Sequence, residues 1–164
     1  MNKVKTILMG TPDFARRIFE KSIPVLRDVL EIKGVFTSVD KRVGRKNEIV
    51  FSPVKKWALD SEFEIFQPEK INNPQWIEKI NEINPSLILL CAYGQIIPQE
   101  ILDIPDLGPL NIHPSLLPKY RGPSPIHAAI LNGDNKTGVS LMVMDKEMDH
   151  GPVIVSSELD IPSG

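Results

Sequence analysis

Short apolar runs alternate with helical patterns along the first two thirds of the chain. KTILMG, IKGVFT and SLILLCA are apolar runs of strand length, and SLILLCA is the most apolar, as expected for a strand covered on both faces. FEIF is a weaker strand, while NPQWIEKINEI and PQEILDI predict helices. This alternation predicts an α/β fold with a doubly wound, mostly parallel sheet flanked by helices.

The last third of the chain continues with strands and one helix. GPLNIH, TGVSLMVM and PVIVSSEL predict strands, and SPIHAAILNG predicts a helix that Gly133 ends. The last strands are compatible with antiparallel pairing. At the other end of the chain, the first strand leads into a helix for which we predict Thr11 as N-cap and Pro12 as first helical residue.

Polar residues and glycines follow several of the predicted strands. They occupy Gly10–Asp13, Thr37, Ala92–Gln95 and Asn111–His113. Ligands of doubly wound sheets bind at the carboxyl ends of the strands, so these positions predict one site. The first turn, GTPDF, lacks the pattern G-x-G-x-x-G, and Pro12 removes an amide that a pyrophosphate would need. The pattern therefore argues against NAD or another dinucleotide as cofactor.

Asn111 and His113 are two residues apart in a predicted strand, so their side chains point to the same side. An amide and an imidazole side by side can both donate hydrogen bonds to one oxygen. That arrangement stabilises the negative charge that develops on a carbonyl oxygen during acyl transfer, and an imidazole can also relay the proton of an attacking amine. The pair is equally compatible with a buried histidine whose hydrogen bonds go to the backbone.

A carboxylate beside His113 would fix its tautomer, and the turn DKEMDHG offers two candidates, Asp145 and Asp149. Spacing alone does not separate them. His113, Asp149 and His150 are also conceivable metal ligands. Asn111 is a poor ligand for a transition metal, however, and the sequence has neither an H-x-x-x-H pattern nor a carboxylate cluster. We therefore predict no metal.

Composition narrows the class of protein. The chain has 164 residues, a formal net charge of −2 and a single cysteine, Cys91. These values favour one globular domain in a reducing compartment, so we expect a cytoplasmic protein. No apolar run approaches the ~20 residues needed to span a bilayer. Four cations cluster in DKRVGRKNE, and charge alone favours a solvated loop there; they are Lys41, Arg42, Arg45 and Lys46.

The segments that carry the candidate chemistry resemble the folate-dependent formyltransferases. The likeness lies in NIH followed by PSLLPKYRG, and in TGVSLMVMDKEMDHGPVI. MGTPDFA, FTSVDKRVGRKNEIVFSPVK and AYGQIIP are similar to the branch of that family that acts on methionyl-tRNA. The resemblance covers nearly the whole chain, in the same order and spacing, and implies a Rossmann-like sheet.

The resemblance also implies a reaction and its residues. A formyl group would pass from 10-formyltetrahydrofolate to the amino group of methionyl initiator tRNA. Asn111 and His113 would stabilise the oxyanion of the tetrahedral intermediate, and Asp149, which the family favours over Asp145, would orient His113 and help collect the amine proton. Folate would contact Ser115, Leu116, Leu117, Pro118, Ala92, Tyr93, Gly94 and Gln95. The four cations at positions 41–46 would contact tRNA.

Two alternatives remain open from the sequence. The acceptor could be an amino sugar nucleotide or glycinamide ribonucleotide, since such relatives share the trio of polar residues. The chain could also be a folate-binding module without catalysis. The ending DIPSG has the pattern of a helix start, with Ser163 as N-cap, so we expect a fragment of a longer protein. The resemblance implies that residues 1–164 are the N-terminal catalytic domain and that a C-terminal tRNA-binding domain is absent here. We expect a monomer.

Overall fold

The computed structural model describes residues 2–44 and 46–162. Its elements group into two compact units, Met1–Gly108 and Pro109–Gly164, called unit 1 and unit 2 below. Neither Arg45 nor Ser163 lies within the described residues. None of the helices within the described ranges combines the length and the apolar character of a bilayer-crossing segment.

Unit 1 contains a parallel sheet with strand order β5-β2-β1-β6, as the alternation of strands and helices predicts. Its elements are β1 (Val4–Gly10), α1 (Asp13–Leu26), β2 (Leu30–Phe36), β3 (Lys41–Val43), β4 (Glu48–Val50), α2 (Pro53–Asp60), β5 (Ile65–Phe66), α3 (Pro74–Ile83), β6 (Leu87–Cys91) and α4 (Gln99–Leu102). The longer strands match the apolar runs of the sequence to within about two residues.

The core of unit 1 lies along β1. Ile7, Leu8 and Met9 are completely buried, and Phe19 of α1 is buried beside them. Gly10, the last residue of this strand, lies where there is no room for a larger residue. A Cβ at position 10 would lie 2.8 Å from a ring carbon of Phe19 and 2.9 Å from the carbonyl oxygen of Cys91. The turn after β1 is therefore closely packed.

Two local predictions for unit 1 need correction. The helix after β1 begins at Asp13 with Pro12, not Thr11, as N-cap. The hydroxyl of Thr11 instead donates to the carbonyl oxygen of Tyr93 at 2.7 Å, so it is not available to cap the helix. The basic segment, whose charge favours a loop, contains the antiparallel hairpin β3–β4. Helix α2, which the sequence analysis does not predict, begins after Ser52, whose side chain accepts a hydrogen bond from the Lys55 amide.

Unit 2 contains three antiparallel strands in the order β7-β8-β9, which confirms the antiparallel pairing of the last strands. Its elements are β7 (Pro109–His113), α5 (Pro125–Leu131), β8 (Lys136–Val143) and β9 (Val153–Asp160). Asn111 of β7 is paired with Met142, and His113 with Ser140. The end of β7 thus lies beside the middle of β8.

Ser140 fastens the loop after β7 to β8. Its buried hydroxyl donates to the carbonyl oxygen of Ser115 at 2.7 Å. It accepts hydrogen bonds from the amide of Leu117 at 3.1 Å and from the hydroxyl of Ser156 at 2.9 Å. Gly138 leaves room for the same loop, since a Cβ there would lie 2.4 Å from Leu116 Cδ2. The loop conformation is therefore fixed by two small residues of β8.

Replacing Ser140 by alanine should destabilise the protein by about 1–3 kcal/mol, because the buried Ser115 carbonyl and the partly buried Leu117 amide lose their partner together. Urea unfolding measures the change in free energy, and hydrogen exchange at the Leu117 amide should accelerate. Ser156→Ala is the matched control, since Ser156 is exposed and should change stability by at most about 0.5 kcal/mol. Equal effects of the two substitutions would contradict the role given to Ser140.

Candidate active site

Strand β7 presents two polar side chains on one buried side. Asn111 is 9% exposed and His113 is 5% exposed, while Leu110 and Ile112 are less buried. Alternation along a strand produces this arrangement, since every second side chain faces the same way. Two buried polar side chains require hydrogen-bond partners, and other segments of unit 2 supply them.

Asp149 meets both polar residues of β7. Its Oδ1 accepts a hydrogen bond from Asn111 Nδ2 at 3.2 Å and lies 3.6 Å from His113 Nδ1. Its Oδ2 accepts a hydrogen bond from the amide of Gly122 at 2.8 Å. The carboxylate is thus held from two sides. The structure brings together the three residues that the sequence analysis singles out.

Asp145, the rival candidate, is engaged elsewhere. Its carboxylate accepts a hydrogen bond from the amide of Glu147 at 2.8 Å and lies 3.3 Å from His150 Nδ1. These partners, the Glu147 amide first, lower the pKa of Asp145 below its usual value. The structure therefore separates two aspartates that spacing does not distinguish. It also places His150 with Asp145 instead of with the trio.

The second ring nitrogen of His113 contacts the backbone. His113 Nε2 lies 2.9 Å from the carbonyl oxygen of Tyr120. A carbonyl can only accept, so Nε2 carries a hydrogen and donates it. In the neutral ring Nδ1 is then an acceptor, and it is the nitrogen that faces Asp149. The alternative, a buried histidine whose hydrogen bonds go to the backbone, therefore holds for Nε2 but not for Nδ1.

Tyr120 and Gly122 are parts of the site that the sequence analysis misses. Both contribute backbone groups, which leave no pattern of residue types. Tyr120 and Asp149 have positive φ angles of 56° and 50°. Such angles are uncommon for residues other than glycine and are often found where structure around a site holds the chain in a strained form.

The Ser115–Pro118 segment is held firmly but has few free donors. The amides of Ser115 and Leu117 donate to the carbonyl oxygen of His113 and to the hydroxyl of Ser140. Pro118 has no amide hydrogen. At most the amide of Leu116 is left for a ligand. A folate contact at this segment would therefore draw on a single backbone donor.

The Ala92–Gln95 turn of unit 1 exposes Ala92 and Gly94 and buries Tyr93. Both ends of the Gln95 side chain are engaged: Oε1 accepts from the Ile71 amide at 2.8 Å, and Nε2 donates to the Pro68 carbonyl at 2.9 Å. Burial raises the pKa of the Tyr93 hydroxyl, which has no hydrogen-bond partner among the described residues. Gln95 thus braces the turn, and its exposed surface comes from residues 92 and 94.

The basic segment forms a hairpin with two different faces. Lys41 is paired with Val50 and Arg42 with Ile49, so Lys41 and Arg42 point to opposite faces. Lys41, Arg42 and Lys46 are all exposed. The Lys41 face borders an open cavity of about 180 Å³, which is also lined by Val39, Val43, Val50 and Phe51. Of the described cations, Lys41 therefore borders this largely apolar cavity, whereas Arg42 lies on the opposite face of the hairpin.

Comparisons with known proteins agree with this picture. Residues 2–163 match the family model described as Formyl transferase. Methionyl-tRNA formyltransferase of Clostridioides difficile is 44% identical over 158 residues, and that of Fusobacterium nucleatum is 45% identical over 158 residues. Each alignment covers 96% of this chain and 50% of the relative. The chain thus spans about half the length of the curated relatives it matches.

Solved structures show the same fold. A phosphoribosylglycinamide formyltransferase from Bacillus halodurans superimposes with a TM-score of 0.77 at 19% identity, covering 96% of this chain and 80% of that one. A glycinamide ribonucleotide transformylase from Geobacillus kaustophilus gives a TM-score of 0.78 at 21% identity, covering 99% and 86%. These likenesses confirm the predicted α/β, Rossmann-like fold. Together with the family match along its length, they establish that the chain belongs to the formyl transferase family.

Proposed function

We propose that the protein transfers a formyl group from 10-formyltetrahydrofolate to the amino group of methionyl initiator tRNA, as a cytoplasmic monomer. The convergence of Asn111, His113 and Asp149 within 3.2–3.6 Å carries this proposal. The relatives at 44% and 45% identity, which are named methionyl-tRNA formyltransferases, support the choice of acceptor.

Asn111 contributes a hydrogen-bond donor to the reaction. Its amide group has two N–H bonds, and one of them points to Asp149 Oδ1. The other can donate to the formyl oxygen as the attack of the amine turns this oxygen into an oxyanion. Asp149 holds the amide in one orientation, which is what makes such a donor effective, because no reorganisation is needed during the reaction.

His113 moves the proton. Nδ1 of the neutral ring accepts a proton from the attacking amine while the new bond between nitrogen and the formyl carbon forms. The imidazolium then donates a hydrogen bond from Nδ1 to the oxyanion. It finally transfers the proton to N10 of the folate as the bond between N10 and the formyl carbon breaks. Asp149 lies 3.6 Å from Nδ1 and stabilises the positively charged ring between these two proton transfers.

The remaining assignments belong to the same proposal. Residues 115–118 and 92–95 contact the folate, through the Leu116 amide and through the exposed backbone at residues 92 and 94. Lys41, Arg42 and Lys46 contact tRNA phosphates, and Arg45, which lies outside the described residues, is proposed as a further tRNA contact. Because Lys41 and Arg42 lie on opposite faces of the hairpin, they suit contact with phosphates of more than one strand of the tRNA.

The other acceptors that the sequence leaves open are glycinamide ribonucleotide and an amino sugar nucleotide. The solved structures of a phosphoribosylglycinamide formyltransferase and a glycinamide ribonucleotide transformylase, at 19% and 21% identity, support the fold and not the acceptor. A formyl-transfer assay with each acceptor distinguishes among these possibilities. Labelled formyl donor is offered to the purified protein with methionyl initiator tRNA, glycinamide ribonucleotide or an amino sugar nucleotide. Donor binding without transfer to any of the three would favour the binding module instead.

Removal of the proposed oxyanion donors should slow formyl transfer without unfolding the protein. We expect Asn111→Ala to reduce kcat by about 10²–10³-fold and His113→Ala by about 10²–10⁴-fold. Transfer of labelled formyl to methionyl-tRNA gives the rates. His150→Ala is the control, because this exposed histidine pairs with Asp145 and should leave the rate unchanged. Full activity of both site variants would refute the assignment.

The hairpin cations should make tRNA binding dependent on salt. The logarithm of the binding constant falls linearly with the logarithm of salt concentration, with a slope of about 0.7–0.9 for each neutralised phosphate. Lys41→Ala together with Arg42→Ala should lower that slope by about 1–2, measured by titration at several salt concentrations. Lys21→Ala, an exposed lysine of α1, should leave it unchanged. An unaltered slope in the double variant would remove the hairpin from the proposed interface.

A further inference from the structure

A short piece of backbone contacts two members of the trio at once. The carbonyl oxygen of Tyr120 accepts a hydrogen bond from His113 Nε2 at 2.9 Å. Two residues later, the amide of Gly122 donates to Asp149 Oδ2 at 2.8 Å. A displacement of residues 120–122 would therefore disturb the imidazole and the carboxylate together.

This piece of backbone has a conformation that needs support. Tyr120 has a φ angle of +56°, and Gly122 one of +92°. Glycine adopts such angles readily, whereas a tyrosine does so only against crowding between its Cβ and the backbone. A residue in this region persists where neighbouring contacts hold it. The side chain of Tyr120 makes contacts of this kind.

The Tyr120 hydroxyl lies in a cluster of polar side chains, which we call the tyrosine clamp: Lys119, Tyr120, Asn132 and Asp134. The hydroxyl donates to Asp134 Oδ2 at 2.7 Å and accepts from Asn132 Nδ2 at 3.0 Å. Lys119 Nζ donates to the same oxygen of Asp134 at 2.7 Å, and it lies 4.9 Å from the centre of the Tyr120 ring.

The clamp is attached to helix α5. The amide of Asn132 donates to the carbonyl oxygen of Ala128 at 3.0 Å, and the amide of Asp134 donates to that of Ala129 at 3.0 Å. Lys119 and then Tyr120 lower the pKa of Asp134, so Asp134 is a carboxylate at neutral pH. The end of α5 thus presents a charged acceptor in a fixed position to the Tyr120 hydroxyl.

We propose that Tyr120, held by Asp134, is a positioning residue that keeps His113 in the tautomer with hydrogen on Nε2. Nδ1 is then left as the nitrogen that exchanges protons, facing Asp149. The inference rests on the proposed function for its catalytic meaning, but the tautomer itself is a property of the protein without substrate. A purely structural clamp would stabilise the loop without selecting a ring nitrogen.

The test is the tautomer of His113, read from ¹⁵N–¹H correlation spectra of the protein labelled in its three histidines. In the wild-type protein the neutral ring of His113 should carry hydrogen on Nε2. In Tyr120→Phe and Asp134→Asn the spectra should show a mixture of both tautomers, because the carbonyl is no longer held against Nε2. His127 and His150 serve as internal references, and Asp106→Asn, at an exposed position of unit 1, is the matched control.

Activity gives the second readout. We expect both clamp variants to reduce kcat by about 10- to 100-fold with little change in KM, as for a misplaced catalytic group. If both variants unfold, Asn132→Ala loosens the clamp more gently, because this exposed side chain donates only to the Tyr120 hydroxyl within residues 2–44 and 46–162. An Nε2–H tautomer that persists unmixed in folded clamp variants would overturn the proposal. A wild-type protein that transfers formyl to no acceptor would instead overturn the proposed function, and the tautomer result would still decide the clamp.

Discussion

The site depends on the burial of two polar side chains on one side of β7. Asn111 and His113 are 9% and 5% exposed, and strand geometry alone fixes their direction. Leaving buried donors unpaired costs about 1–3 kcal/mol each, so the loops that follow β7 and β8 must bring partners to them. Asp149 and the Tyr120 carbonyl fulfil that requirement. The same contacts that satisfy the strand also create the arrangement that can stabilise an oxyanion.

Backbone strain in unit 2 is concentrated in those two loops. Tyr120 and Asp149 both have left-handed backbone, and Gly151 has no space for a side chain, since a Cβ there would lie 2.0 Å from the carbonyl oxygen of Val143. The turn is closed by the hydrogen bond from the Val143 amide to the Pro152 carbonyl at 2.9 Å. A strained residue persists only where the surrounding contacts hold it, and such contacts also keep reactive groups in place before a reaction begins.

The strands and the Asn111–His113 pair could be predicted because apolar runs and period-two alternation are local properties of the sequence. The choice of Asp149 over Asp145 could not be derived from spacing, since it depends on how a strained turn folds back. The hairpin β3–β4 could not be predicted, because each of its strands has three exposed residues and therefore shows no alternation of buried and exposed positions. Helix α2 did have a signal, Ser52 as N-cap followed by Pro53. Tyr120 acts through its carbonyl, a group that every residue has.

The comparison structures also limit where acceptor choice can reside. Proteins named for glycinamide ribonucleotide share this fold with TM-scores of 0.77 and 0.78, so the arrangement of strands and helices does not discriminate between acceptors. A formal net charge of −2 gives this chain no general attraction for a polyanion. Exposed charges act over about 8 Å in physiological salt, so the tRNA binding that we propose requires a local cluster of cations. Under the proposed function, Asn111, His113 and Asp149 perform the transfer, and the exposed cations of the β3–β4 hairpin contribute to the choice of acceptor.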